Sequence, residues 1–267
     1  MSVAETAALL GAGLAAGTIN TIVGSGTLIS FPMLLAFGYP PVVANVTNTV
    51  GLVPGSVSGI HGYRAEVAEF RTKGPRLIRL VACSLVGSVT GALLLLFLPA
   101  VAFKAIVPVL IITALVLVVV QPRLAARLAA RRAANDGTEP GRGGWVALAA
   151  VFGTGVYGGY FGAAQGVLLM AILGITYADR LQVLNGVKNV LAAVVNGVAA
   201  VIFIIAGALP GSGSDHPEIV WSAAAAIAVG AVVGGQIGAR IGRRLPPAAL
   251  RALIIVVGLA AVVHMVA

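Results

Sequence analysis

Of the 267 residues in the chain, 59% are hydrophobic and only 9% are charged, and the mean hydropathy is +1.05. About a quarter of the residues of a soluble domain are charged, so this composition excludes a protein whose whole surface faces water. The formal net charge of +9 does not indicate a nucleic-acid partner, because the arginines lie in short stretches beside long apolar runs, as in membrane proteins with basic cytoplasmic loops.

Long apolar runs follow one another along the chain. They match the roughly 20 helical residues that cross the hydrocarbon core of a bilayer, and they are too uniformly apolar for alternating barrel strands. The sequence therefore predicts an all-α, polytopic transmembrane helical bundle in contact with the lipid bilayer. The runs fall at about 4–37, 42–60, 77–98, 101–120, 144–173, 181–209, 219–239 and 248–266.

The first and fifth runs are too long for one perpendicular crossing, and glycines interrupt both of them. The interruptions are Gly24-Ser25-Gly26 in the first run, and Gly158-Gly159 with Gly162 in the fifth. Such clusters predict either a broken helix or a re-entrant hairpin in each run.

The basic residues favour the re-entrant alternative. If every run crossed once, the third basic stretch would lie opposite the first two, and the acidic loop with Asp215 and Glu218 would be cytoplasmic, against the usual charge bias. Two re-entrant runs make all three basic stretches cytoplasmic and place the acidic loop and both termini outside. The stretches contain Arg64, Arg71, Lys73, Arg76 and Arg79; Arg123, Arg127, Arg131, Arg132 and Arg142; and Arg240, Arg243, Arg244 and Arg251.

This topology divides the chain into a first transmembrane repeat (1–120), a cytoplasmic basic linker (121–143) and a second transmembrane repeat (144–267). Each repeat has a broken or re-entrant first helix plus three crossing helices, and the odd number of crossings makes the two repeats inverted. Small and polar residues recur in the same order in both halves. They are Gly13-x3-Gly17 and Asn45-x2-Asn48, then Gly155-x3-Gly159 and Asn185-x3-Asn189.

The two breaks are candidate binding sites for a small anion. A helix that restarts in mid-membrane exposes backbone N–H groups and a partial positive charge. Glycine lets a ligand approach the backbone closely, and serine and threonine add hydroxyl groups; the alternative is that the glycines only permit tight helix packing. The candidate residues at the breaks are Gly24, Ser25, Gly26, Thr27 and Gly162.

Polar side chains also occur on the helices that follow the breaks. They are Asn45, Thr47, Asn48 and Thr49 in the first half, and Asn185, Lys188, Asn189 and Asn196 in the second. Because unpaired amides in hydrocarbon are costly, we expect them to face the interior, where they either line a substrate path or join helices by hydrogen bonds. Lys188 could offset the charge of an anion, or it could snorkel to the cytoplasmic surface.

The sequence offers no convincing catalytic constellation. Cys83 is the single cysteine, and no zinc-ligand spacing, Walker sequence or nucleophile elbow is present. No carboxylate lies in the middle of an apolar run, so the proton relay of many coupled pumps is not visible. We therefore expect neither an enzyme nor ATP-driven transport, and neither a cofactor nor a metal.

Several segments together form a more specific pattern. They are Gly24-Ser-Gly-Thr-Leu-Ile-Ser-Phe-Pro32, Gly38-Tyr-Pro-Pro41, Ala44-Asn-Val-Thr-Asn48, Gly51 onward to His61-Gly-Tyr-Arg64, and Gly158-Gly-Tyr-Phe-Gly162. Over nearly its whole length the chain resembles the TauE/SafE family of sulfite exporters and toluenesulfonate-uptake permeases. The resemblance implies a duplicated-repeat bundle that moves sulfite, sulfonates or related small anions. Ala163-Ala164-Gln165 departs from the glycines expected there, which leaves the substrate open, and Gln165 joins the candidate binding residues.

We thus expect a multi-pass transporter of the bacterial inner membrane, able to form a homo-oligomer, with its anion site near the midplane between the breaks and the Asn-bearing helices. The first alternative is a non-transporting membrane scaffold or accessory subunit, which would need no polar interior path. The second is an intramembrane enzyme, which would need a nucleophile and a base that face each other.

Overall fold

The computed structural model describes residues 1–134, 144–208, 218–241, 254–257 and 259, and every regular element in these ranges is a helix. The all-α fold class is confirmed. The helices are α1 (Val3–Ile22), α2 (Thr27–Ala36), α3 (Pro41–Gly62), α4 (Arg64–Arg71), α5 (Arg76–Phe97), α6 (Ala100–Ala134), α7 (Trp145–Tyr160), α8 (Gln165–Thr176), α9 (Leu181–Ala208) and α10 (Trp221–Ile241). The predictions on Arg142, Asp215, Arg243, Arg244 and Arg251 lie outside the described residues, as does most of the run at 248–266.

Both long apolar runs are broken where their glycines lie. The first run forms α1 and α2, which are separated at Val23 to Gly26, and the fifth forms α7 and α8, which are separated at Phe161 to Ala164. Neither α2, with 10 residues, nor α8, with 12, reaches the roughly 20 residues of a full crossing. Each half of the chain therefore contains one long helix that is followed by a short apolar one.

The first broken pair folds back on itself as a hairpin. Tyr39, in the turn between α2 and α3, donates its hydroxyl hydrogen to Glu5 Oε1 at 2.6 Å, and Glu5 lies in the first turn of α1. The end of α2 therefore lies beside the start of α1. α10 begins at the same end of the bundle, because the Val220 amide donates to Thr47 Oγ1 on α3 at 3.1 Å.

The opposite end of the bundle gathers basic residues from separate parts of the chain. α4 and the turn after it are tied to the turn between α8 and α9 by two ion pairs, Arg180–Glu69 and Lys73–Asp179. The last turn of α3 meets the end of α10, because a Cβ on Gly62 would overlap the Cβ of Ala239. Arg240, in the last turn of α10, therefore lies at the same end of the bundle as the first basic stretch, and the assignment of this end to the cytoplasm stays a prediction.

The second basic stretch is helical where the structure describes it. α6 continues to Ala134, so the part of the predicted linker 121–143 before residue 135 is helical, and its cytoplasmic location stays a prediction. Four helices are long and apolar enough to cross a membrane by length and composition within the described ranges. They are Arg76–Phe97, Ala100–Arg123, Leu181–Ala208 and Trp221–Arg240.

The two halves pack into each other through corresponding helices. α1 of the first half packs on α10 of the second, α7 of the second half packs on α5 of the first, and α3 and α9 meet between them. Small residues make this approach possible, since a Cβ on Gly13 would lie 2.4 Å from Ile227 O and a Cβ on Gly159 2.4 Å from Ser88 O. The reciprocal packing supports a duplication, and the inverted relation of the repeats stays a prediction.

Candidate functional site

The two breaks meet each other in the centre of the bundle. The Gly166 amide, in the first turn of α8, donates to the Gly24 carbonyl at 3.0 Å. A Cβ on Gly24 would lie 2.3 Å from Gly166 Cα, and a Cβ on Gly166 would lie 2.4 Å from Gly24 Cα. This backbone contact between the halves, which we call the glycine junction, admits no side chain on either residue.

Both first helices end in the same backbone geometry. Gly24 has a φ of +88° and Gly162 a φ of +77°, and each amide donates to the carbonyl five residues earlier, Ile19 at 3.0 Å and Tyr157 at 3.1 Å. This left-handed conformation is open to glycine at little cost. Ala164 also adopts a positive φ, of 58°, which is strained for a residue with a Cβ and occurs mainly where the surrounding structure enforces it.

The starts of α2 and α8 expose unpaired donors. The backbone amides of Ser25, Gly26 and Thr27, and those of Ala163 and Ala164, donate to no acceptor among the described residues. Orphan N–H groups at a helix N-terminus carry a partial positive charge and suit an anion. Both sets of donors are within three residues of a glycine of the junction.

Unpartnered side-chain atoms concentrate at the same place. Buried polar atoms are normally hydrogen-bonded, so an orphaned one calls for an explanation such as a missing ligand. Within the described residues, the buried atoms without a partner are Ser25 Oγ, Asn45 Oδ1, Ser84 Oγ, Tyr160 Oη, Gln165 Nε2 and Asn185 Oδ1. All except Ser84 belong to a break, to the last residue of α7, or to a side chain that contacts the end of a broken helix.

On α3, the predicted asparagines contact both breaks. Asn45 donates to the Tyr160 carbonyl at the end of α7 at 3.0 Å. Asn48 accepts a hydrogen bond from Ser30 and lies 3.5 Å from Thr27 Oγ1, so it holds the first turn of α2. α3 of the first half thus provides a hydrogen-bond donor for the last carbonyl of α7, the broken helix of the second half.

On α9, three predicted residues contact the end of α1. Asn185 and Asn189 donate to the Thr21 carbonyl at 3.2 and 3.3 Å. Lys188 Nζ donates to the carbonyls of both Asn20 and Thr21 at 3.0 Å, and the lysine is fully buried. The alternative that Lys188 snorkels to the cytoplasmic surface does not describe this conformation.

The remaining predicted residues divide between the site and helix packing. A Cβ on Gly26 would lie 2.4 Å from Ala16 O, so the absence of a side chain at Gly26 serves the contact between α1 and α2. A Cβ on Gly162 would lie 3.1 Å from its nearest neighbour, Gly158 O, so there is more space at Gly162 than at Gly26. Asn196 donates to Ser56 Oγ at 3.4 Å and joins α9 to α3.

Sequence reasoning missed four contributors to the site. Nothing in the sequence distinguishes Gly166 from the other glycines of the fifth run, although it forms half of the glycine junction. The carbonyls of Asn20 and Thr21 were missed because a backbone acceptor leaves no signal in residue type. Tyr160 carried one available signal, a hydroxyl inside an apolar run directly before a break.

Comparison with known proteins identifies the family. The family model described as Sulfite exporter TauE/SafE matches residues 9–265. The chain belongs to the TauE/SafE family. The resemblance drawn from the segments around the breaks is therefore confirmed, and this is a family of membrane transporters.

Three curated relatives in this family have the name "Probable membrane transporter protein YfcA". They come from Escherichia coli strain K12, strain O6:H1 and strain O157:H7, and each is 29% identical over 183 residues. The match covers 66% of this chain and 64% of each relative, so the chain spans slightly less than two thirds of their length. No solved structure matches the chain.

Proposed function

We propose that this TauE/SafE protein moves a small anion, such as sulfite or an organosulfonate, across the bacterial inner membrane without ATP. The observation that carries the proposal is the pair of helix starts at the glycine junction, where backbone amides and the side chains of Ser25 and Gln165 lack partners. An anion that leaves water needs fixed donors in place of its hydration shell. The donors on both halves supply them.

The electrostatics of the described interior favour an anion over a cation. Lys188 is a fully buried basic side chain, while Asp179 is the one buried carboxylate in the described part of the chain. Asp179 lies at the end of the bundle and is paired with Lys73, so its charge is already neutralised. The positive charge near the breaks has no carboxylate partner, and a bound anion would supply one.

The driving force requires no nucleotide. A potential that is negative inside is worth about 2.3 kcal/mol per elementary charge per 100 mV, and it drives anions outward. We therefore expect export as the physiological direction. The carrier would alternate between states in which the glycine junction closes one or the other side of the site.

Vesicles that contain only the purified protein test this proposal. Labelled sulfite, sulfoacetate and sulfate are loaded inside, and efflux is followed with and without an imposed potassium diffusion potential. We expect saturable efflux of at least one of these anions, accelerated when the interior is negative. If none of the three anions leaves these vesicles faster than it leaves vesicles without the protein, the non-transporting scaffold or accessory subunit becomes the better interpretation.

Single cysteines test the proposed orientation. In a Cys83→Ala background, Glu218→Cys should react with an impermeant maleimide added outside intact cells, because residue 218 lies at the end predicted to face outward. Thr72→Cys, exposed at the opposite end, should react only after the membrane is opened. The reverse labelling pattern would reject the orientation.

A further inference from the structure

The end of α1 is neutralised by a lysine from the other half of the chain. Lys188 Nζ lies 3.0 Å from the carbonyl oxygens of both Asn20 and Thr21, and the amides of Asn185 and Asn189 add two more donors to Thr21. These carbonyls lie in the last turn of a helix that stops inside the bundle, so they carry the partial negative charge of a helix C-terminus. A buried cation compensates that charge without a carboxylate.

The equivalent end of α7 is built differently. Its Tyr160 carbonyl accepts one hydrogen bond, from Asn45, whose own Oδ1 remains unpartnered although the residue is 1% exposed. If Asn45 corresponds to Asn185, because each contacts the end of the opposite broken helix, then Asn48 corresponds to Lys188. Asn48 turns toward α2 instead, so only the α1 end holds an ammonium within the described structure.

The position of this ammonium has a general meaning in transporters with broken helices. Their unwound carbonyls and half-helix C-terminal ends are where coupling cations such as Na⁺ bind. We propose that the Lys188 ammonium is a built-in cation, which occupies the place of a bound monovalent cation and makes anion movement independent of one. The claim that transport needs no added cation rests on the proposed anion transport. The claim that the ammonium takes the place of a bound cation concerns only Lys188 and the end of α1.

The lysine is also connected to the glycine junction. A Cβ on Gly166 would lie 3.1 Å from Lys188 Cδ, so the methylene chain passes beside the first turn of α8 before its ammonium reaches α1. A change in the charge at this position therefore acts on both breaks. Loss of the cation leaves the Asn20 carbonyl without this donor and the Thr21 carbonyl with only the amides of Asn185 and Asn189, and the break of α1 should open.

Lys188→Asn is the informative substitution because it gives α9 the residue that stands at the corresponding position of α3. It removes the ammonium and leaves a shorter side chain with an amide oxygen, while the carbonyls of Asn20 and Thr21 and the unpartnered Asn185 Oδ1 remain around the vacated space. Oxygens of this kind, with water in the vacated space, are ligands for Na⁺. Lys104→Asn is the matched control, since Lys104 is exposed on α6.

The first measurement is thermal stability in detergent, in sodium chloride against choline chloride. Sodium at ten times its Kd should raise the melting temperature of Lys188→Asn by about 3 to 6 °C, and should leave the unchanged protein and Lys104→Asn unaffected. No sodium-specific shift in a folded Lys188→Asn protein would overturn the built-in cation. This arm needs no transported anion, so it stands even if the proposed function fails.

The second measurement is anion efflux from vesicles in the same two salts. The unchanged protein should transport equally in both, whereas Lys188→Asn should be at least about tenfold slower in choline and recover with sodium. Sodium dependence of the unchanged protein would overturn the inference, and so would a Lys188→Asn protein that is equally active in both salts. If Lys188→Asn does not fold, efflux by the unchanged protein in the two salts still tests the inference, because sodium dependence there would overturn it.

Discussion

Gly166→Ala should reduce anion transport by at least about 100-fold while the protein still inserts into the membrane. The added methyl group would lie 2.4 Å from Gly24 Cα and 3.1 Å from Gly24 O, so the two breaks must separate and their hydrogen bond must lengthen or break. Overpacking of a buried contact costs about 1–3 kcal/mol, which a helical bundle of this size tolerates. The conformation with the closed junction, however, would be lost from the transport cycle.

Two other glycines provide matched controls for this substitution. Gly153 on α7 and Gly197 on α9 have no atom within 4 Å of an added Cβ, so alanine fits there without displacement. Each change should leave transport unchanged and raise stability slightly, because alanine is favoured over glycine in a helix by about 1 kcal/mol. Melting temperature and initial efflux rate are measured for all three variants. Normal efflux by Gly166→Ala would show that the junction does not need to close.

The breaks were predictable because glycine has a local conformational reason to be there. Gly24 and Gly162 take positive φ values at the ends of α1 and α7, and a run too long for one crossing already required an interruption. The role of Gly26 was harder to predict. The space for its missing side chain is filled by the Ala16 carbonyl, and nothing in the order of residues distinguishes a glycine that admits a ligand from one that admits a neighbouring helix.

The end of α6 could not be predicted from the apolar run at about 101–120 alone. The charge of the arginines from Arg123 onward excludes them from the hydrocarbon core. Yet alanine, leucine and arginine are strong helix formers, so the helix continues up to Ala134. Charge locates the membrane boundary, whereas propensity locates the end of the helix.

The partner of Lys188 was beyond sequence reasoning. Its two acceptors are backbone carbonyls 168 and 167 residues earlier in the chain, and only the packing of α9 against the end of α1 brings them together. Sequence could identify a costly charge inside an apolar run, and it could require a compensating group. The sequence could not show whether the charge of Lys188 is compensated by an anion, by water at the membrane surface or by a helix end, because that depends on tertiary structure.

Ser25→Ala combined with Gln165→Leu should weaken anion binding by at least about 100-fold while it increases thermal stability. Hydrogen bonds to a charged group contribute about 1.5–3 kcal/mol each, so each loss should lower affinity by about tenfold or more. In the absence of the anion, Ser25 Oγ and Gln165 Nε2 are buried without partners. Their replacement by apolar groups of similar shape removes an unfavourable burial and is neutral or stabilising.

Ser84→Ala separates this effect from a general consequence of removing a buried hydroxyl. Ser84 Oγ is also buried and unpartnered, but it lies on α5 near Gly155, away from both breaks. It should give the same small gain in stability with unchanged transport. Efflux is then measured as a function of anion concentration for the single and double variants. A KM that is raised in the Ser25 and Gln165 variants but not in Ser84→Ala supports the role of these two side chains as donors that bind the anion. A fall in stability with normal KM would mean that Ser25 and Gln165 serve the packing of α2 and α8, and the anion would have to bind elsewhere in the bundle.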